Sequence, residues 1–227
     1  MQPWELLATA QAPQGDTLRL LRRGHEYSIR LQGGNELMSS RLSGSEEALA
    51  TLALEALGGR AAPRVLIGGL GMGFTLRAAQ EVAPRDARLI VSEIVPELVG
   101  WATEHMGAVF GDCLDDPRVE VRTGDVAAEI RGAEAGSYDA ILLDVDNGPD
   151  GLTRAGNDSL YGERGLQHAR RALSKGGVLA VWSAAQDQGF TRRLGQNGFA
   201  AKAHMVRAGR TKRGAKHTIW IAQKTGS

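Results

Sequence analysis

Four acidic residues stand where apolar runs end. Glu93 closes "RLIVSE", Asp125 follows "VEVRTG", and Asp144 and Asp146 follow "YDAILL". About 20 residues before Glu93 lies "GGLGMG", which places Gly68, Gly69, Gly71 and Gly73 directly after the apolar run "RVLI". Glycines at such a turn permit positive φ and let a ligand approach the backbone closely. A helix beginning behind them adds free N–H groups and a positive dipole end. The turn therefore suits a nucleotide-like ligand, above all one with a negative group. An acid some 20 residues further on can accept both hydroxyls of a ribose, which fits Glu93. Asp125 is placed to accept from an adenine amino group. Each feature alone also has a structural reading. Gly69, Gly71 and Gly73 match G-x-G-x-x-G incompletely, and a turn needed only for packing looks the same. Each acid also suits a helix cap or a turn, Asp125 above all. The series is harder to obtain by chance: four successive runs end in glycine or acid.

The elements that must hold these residues follow from the rhythm of the chain. From Pro63 onward, the runs "RVLIGGL", "RLIVSEI", "RVEVRTGD", "YDAILLDV" and "GGVLAVWS" alternate with helical stretches such as "FTLRAAQEVA" and "PELVGWATEHM". This spacing predicts right-handed βαβ units and a parallel sheet. Near-continuous Val, Ile and Leu suit strands covered on both faces. Glycine and acids then share the C-terminal edge, where open α/β sheets bind ligands. "GFAAKAHMVRAG" and "KHTIWIAQK" predict a closing antiparallel hairpin. Before Pro63, residues 17–40 predict a small antiparallel meander with turns at Arg23-Gly24 and Gly33-Gly34-Asn35. A helix follows, with Ser45 as N-cap, Glu46 and Glu47 in the first turn, and Gly58-Gly59 as its stop. The expected division is 1–60 for meander and helix and 61–227 for the α/β domain.

Composition narrows the classes. Of 227 residues, 42% are hydrophobic and 23% charged, enough for a real core. A net charge of +1 gives no global pull toward nucleic acid or membrane. One cysteine, Cys113, precludes a disulfide within the chain and fits a reducing compartment. The N-terminal stretch lacks a signal-peptide pattern, and no apolar run approaches a bilayer span. The expectation is a cytoplasmic protein. The five histidines are scattered and, with Cys113, form no metal-ligand spacing. The basic stretch "VRAGRTKRGAKH" reads as a solvated loop rather than a nucleic-acid surface, since no aromatic platform interleaves it.

At this point the residues resemble the class I S-adenosylmethionine-dependent transferase (methyltransferase) superfamily, and within it the spermidine synthase-like branch. The resemblance runs from about Thr17 to the C-terminus. It rests on the meander and helix before "VLIGGLGMG", on "YDAILLDVDNGP", and on "LYGERGLQHARRALSKGGVLAVWS". It implies a Rossmann-like, mostly parallel seven-stranded sheet ending in an antiparallel hairpin. It also implies a donor, S-adenosylmethionine or its decarboxylated form, contacted by Gly69, Gly71, Gly73, Glu93, Asp125 and Asp144. Departures matter. Aminopropyl-transferring members usually carry an acid where this chain has Gly71. They also tend to carry a Tyr-His-Glu motif where this chain has "GSEEALATLAL". "DVDNGP" is shorter than the usual pattern, which puts Asp146 in doubt as the second acid.

In this branch an acceptor attacks a carbon bound to the sulfonium, so the protein must chiefly align the partners and supply an unprotonated nucleophile. Asp144 and Asp146 are the candidate catalytic acids, with Asp144 able to orient an amine and take its proton. Tyr161 is a candidate to close over the acceptor. For a polyamine, Asp150 and Asp158 would add negative charge. Without an acid at position 71, the helix N-terminus can accept a donor carboxylate, which favours methyl transfer. The alternatives are a polyamine aminopropyltransferase and a non-catalytic nucleoside-binding module. A dinucleotide oxidoreductase fits less well, because of the closing hairpin. A β appendage that adds a sheet edge is compatible with a homodimer.

Overall fold

A computed structural model describes residues 2–13, 15–145, 160–209 and 215–226. It contains two sheets. The first is antiparallel, in the order β1 (Glu5–Gln11), β2 (Thr17–Arg23), β3 (Glu26–Leu31), β4 (Glu36–Ser39). Leu18 and Leu20 of β2 and Ile29 of β3 point into the core, and Gly24 takes φ +60° in the β2–β3 turn. The sequence reading anticipates the meander but not β1. In β1 only Ala10 is buried, and a register shift between Leu6 and Ala8 interrupts its pairing with β2. An edge strand so little buried carries no clear period-two signal.

The second sheet has seven strands: β5 (Arg64–Gly68), β6 (Arg88–Glu93), β7 (Val119–Thr123), β8 (Tyr138–Leu143), β9 (Leu173–Ser183), β10 (Phe199–Arg207) and β11 (Lys216–Lys224). Their order is β10-β11-β9-β8-β5-β6-β7. β5 to β9 run parallel, and β11 lies antiparallel between β9 and β10. The expected seven-stranded sheet with its closing hairpin is therefore present. The chain leaves β5 toward β6 on one side and later returns to β8 on the other. This reversal opens a switch point above β5, where ligands bind in such sheets.

Both faces of the sheet are covered, which explains the near-continuous apolar strands. Val65, Ile67, Leu89, Val91, Ala140 and Leu142 point to one face. There they meet α1 (Gly44–Leu57), α2 (Phe74–Val82), α3 (Pro96–Glu104) and residues of the meander. α4 (Gly107–Phe110) completes this layer. Leu66, Ile90, Ile141, Leu143, Leu179 and Val181 point to the other face, toward α5 (Val126–Gly132), α6 (Glu163–Ala172) and α7 (Gln188–Gln196). α1 packs on α2 and on the β8, β9 and β11 side of the large sheet, and its first turn reaches the sheet's C-terminal edge.

One local expectation is corrected. Ser43, not Ser45, is the N-cap of α1, and Ser45 lies fully buried two residues further in. The tryptophans divide: Trp101 and Trp220 are core residues, whereas Trp4 is flanked by the guanidinium groups of Arg23 and Arg30 at 4.6 and 4.7 Å from its ring. Among the described residues, no helix is long and apolar enough to cross a membrane.

Candidate active site

The crests of β5, β6, β7 and β8 are tied together by main-chain bonds. Gly69 N donates to Ser92 O at 2.8 Å, Gly124 N to Glu93 O at 2.8 Å, and Asp144 N to Gly68 O at 3.0 Å. The glycine turn from Gly69 to Gly73 fills the switch point. Its glycines are needed for different reasons. Gly69 has φ +90°, and a Cβ there would fall 2.5 Å from the carbonyl oxygen of Asp144. Gly73 has φ +75°, and a Cβ would strike the ring of Phe110 at 2.7 Å. Gly71 has φ +52°, yet a Cβ there would meet only the sulfur of Met38, at 3.6 Å. Packing within the chain thus explains the missing side chains at 69 and 73 but not at 71.

A stability prediction follows. Gly69→Ala should cost roughly 3 kcal/mol, from a hard clash with backbone plus a left-handed conformation. Gly71→Ala should cost about 1 kcal/mol, from the conformation alone. Thermal unfolding of the two variants checks the difference. Equal midpoints would contradict the packing assigned to Gly69.

Glu93 is 4% exposed. One carboxylate oxygen accepts from Leu70 N at 2.8 Å, inside the glycine turn, and the other from Val95 N at 2.8 Å. Burial pushes this carboxyl up, while those backbone donors pull it back. Glu93 therefore clamps the turn to the end of β6. Asp125 caps α5, accepting from Ala127 N at 2.9 Å, while remaining exposed. The cap reading and the ligand reading are compatible there, since Oδ1 makes the cap. Gly73, the N-cap of α2, provides no side-chain cap, so the first N–H groups of the helix face the turn without a side-chain acceptor from it. A cradle without Cβ atoms, an uncapped helix start and acids at two neighbouring crests fit a nucleoside donor with a terminal charged group.

Asp144 is half-buried beside this cradle and accepts from the Thr75 hydroxyl at 2.6 Å. Burial pushes its carboxyl up to about 6, against the pull of Thr75. The same Thr75 hydroxyl lies 3.3 Å from the carbonyl oxygen of Glu46, at the start of α1. Burial, and then the charge of Asp144, push the Glu46 carboxyl up to about 7. Two carboxyls that titrate near neutrality therefore share one sheet edge. Sequence reasoning read Glu46 only as a first-turn acid. Its sequence neighbours carry no sign of Asp144, which the fold alone brings to it.

Tyr161 does not occupy the position expected of a ring closing over an acceptor. It is 1% exposed, meets Phe190 edge-on at 5.8 Å between centroids, and places its hydroxyl 3.4 Å from Val145 O. That is a core position beneath the site. Asp146, with Asp150 and Asp158, lies outside the described residues. Among the described residues, no group of three or more His, Cys, Asp or Glu side chains could hold a metal ion.

No family model matches the chain. Its fold is similar to that of spermidine synthase from Thermotoga maritima, with TM-score 0.74 and 18% identity, covering 97% of this chain and 73% of that one. A probable spermidine synthase from Corynebacterium glutamicum gives TM-score 0.68 and 17% identity, covering 98% and 82%. In sequence, the chain is 32% identical over 123 residues to a polyamine aminopropyltransferase of Prochlorococcus marinus, covering 53% of this chain and 40% of that protein. It is 32% identical over 118 residues to putrescine N-methyltransferase 1 of Nicotiana tabacum, covering 52% and 30%. The matched stretch spans less than half the length of either curated relative. The architecture is thus the Rossmann-like fold of the spermidine synthases. In fold the chain is similar to spermidine synthases, and in sequence to a polyamine aminopropyltransferase and to putrescine N-methyltransferases.

Proposed function

We propose that this chain transfers an alkyl group from an S-adenosylmethionine-type sulfonium to the nitrogen of a small amine. The observation that carries the reading is the pair of neutral-range carboxyls, Asp144 and Glu46, beside a glycine turn shaped for the donor. The donor, when bound, supplies an electrophilic carbon. The protein must strip a proton from an ammonium and hold the freed nitrogen in line. Asp144, with Thr75 fixing one oxygen, is the base. The two negative groups draw a cation to the edge where the donor ends. The names of the curated relatives support an amine acceptor: one transfers aminopropyl groups among polyamines, and the other methylates putrescine.

The finer reading is methyl transfer from the intact donor, and Gly71 supports it. The turn carries no acid to repel a donor carboxylate, and the space next to Gly71 is open as far as Met38. Aminopropyl transfer is the second reading, favoured by the spermidine synthase fold. Calorimetric titration with S-adenosylmethionine and with its decarboxylated analogue tests both readings. Mass analysis of putrescine incubated with each donor then shows which group moves. Tighter binding of the intact donor and a methylated product are expected. Binding of both donors without turnover would make the chain a nucleoside-binding module, and binding of neither would remove the donor assignment.

A further inference from the structure

Two polar groups that lead away from Glu46, Ser45 and His217, are not used by the mechanism above. Ser45 is 0% exposed, in the first turn of α1. Its hydroxyl lies 2.6 Å from a Glu46 carboxylate oxygen and 2.9 Å from Nδ1 of His217, 172 residues away on β11. His217 is half-buried, and Trp182 meets it edge-on at 4.7 Å between centroids, which fixes the plane of the imidazole. A single hydroxyl between a carboxyl and an imidazole has two complete arrangements. With Glu46 protonated, its O–H donates to Ser45 Oγ and Ser45 donates to a bare Nδ1. With Glu46 ionised, Ser45 donates to the carboxylate and Nδ1–H donates to Ser45. The two differ by one proton moved along the chain.

We propose that Ser45 and His217 form a proton relay that discharges Glu46 after each transfer, carrying the proton of the amine from the acceptor subsite to solvent. The relay rests on the amine-transfer reading. The ammonium N–H bond breaks and its proton passes to Asp144, which leaves the nitrogen lone pair for the donor carbon; Asp144 then hands the proton to Glu46, the carboxyl that feels its charge. As Glu46 gives its proton to Ser45 Oγ, Ser45 gives its own to Nδ1. The imidazolium then releases the Nε2 proton to water, and exchange of the tautomer through solvent resets the chain. Burial lowers the affinity of His217 for a second proton, so the imidazolium is short-lived. The charged groups that packed elements bring to this end are Glu47 in α1, Asp144 after β8, and Arg207 and Lys216, opposite each other on β10 and β11. Ser45 and His217 act through Glu46 and are positioning residues.

Two measurements decide the matter, and only one needs turnover. Nitrogen NMR of the imidazole, assigned with His217→Asn, should show Nδ1 changing from bare to protonated as Glu46 ionises near pH 7. Ser45→Ala should abolish that coupled change. In turnover with putrescine, His217→Asn should lower kcat roughly tenfold or more. Donor Kd and amine KM should stay within about twofold, and added imidazole should restore part of the rate. An Nδ1 state that ignores the Glu46 titration would overturn the relay even if no amine is a substrate. So would an unchanged kcat across the pH range in both variants. Absence of turnover in the wild type, with the coupled NMR change present, would overturn the amine-transfer reading and keep the proton path.

Discussion

Asp144→Asn is expected to lower kcat for amine alkylation by about 100- to 10,000-fold, the range spanned by a positioned general base. The change is nearly isosteric. The Thr75 hydroxyl that donates to Oδ2 at 2.6 Å can donate to the amide oxygen instead, so the loop after β8 keeps its anchor. What is lost is basicity. Donor affinity should hold to within a few-fold, because the glycine turn, Glu93 and Asp125 are untouched. Glu46 should also titrate lower in the variant, since the Asp144 charge is the second cause of its raised value. Single-turnover rates and donor calorimetry check both parts. An unchanged kcat would show that another group takes the proton.

The same substitution should stabilise the fold at neutral pH. The Asp144 carboxyl is raised from 3.8 to about 6 by burial. Between those values, the folded state holds a proton that the unfolded chain has released. Stability therefore falls as pH rises from about 4 to 6, and the full penalty is present above 6. Its size is on the order of 2–3 kcal/mol, less whatever solvent reaching the half-exposed group screens. The asparagine variant lacks this penalty, so its midpoint should exceed that of the wild type at pH 8 and converge with it near pH 4. A loss of activity coupled to a gain in stability is the mark of a group kept for function.

These expectations begin in features that the chain displays locally. Alternation of apolar runs with helical stretches was legible because β5 to β9 are buried on both faces, and the glycines announce their turn because positive φ is a local demand. Glu93 was legible by its distance from that turn. Its link to the main chain of Leu70 was not, because a carboxylate that holds a loop and one that holds a ribose occupy the same place. Asp125 shows the same overlap of cap and ligand positions. Tyr161 follows an acid-rich stretch of sequence, yet its ring turns inward to Phe190, a choice made by packing. Glu46, Ser45 and His217 were illegible as a unit. The first two start a helix, the third starts the last strand, and only the closing of the sheet by β11 brings them together.

Gly71→Asp should reverse the preference between donors. Gly71 is the one glycine of the turn that packing leaves free, with φ +52° and only Met38 sulfur within 4 Å of a built Cβ. Aspartate is among the residues that tolerate this left-handed region, so the backbone cost should be about 1 kcal/mol. The new carboxylate would stand at the mouth of the uncapped α2 N-terminus and compete there with the carboxylate of intact S-adenosylmethionine. In a partly buried site, such repulsion amounts to roughly 1–3 kcal/mol, so Kd for the intact donor should rise about 10- to 100-fold. The decarboxylated donor presents an ammonium without a carboxylate, and its affinity should hold or improve. Gly71→Asn separates charge from shape, since it has the same size and backbone tolerance and should weaken neither donor selectively. If Asp and Asn variants lose both donors alike, the turn has been deformed. If neither variant distinguishes the donors, Gly71 does not face the end of the donor where the two differ.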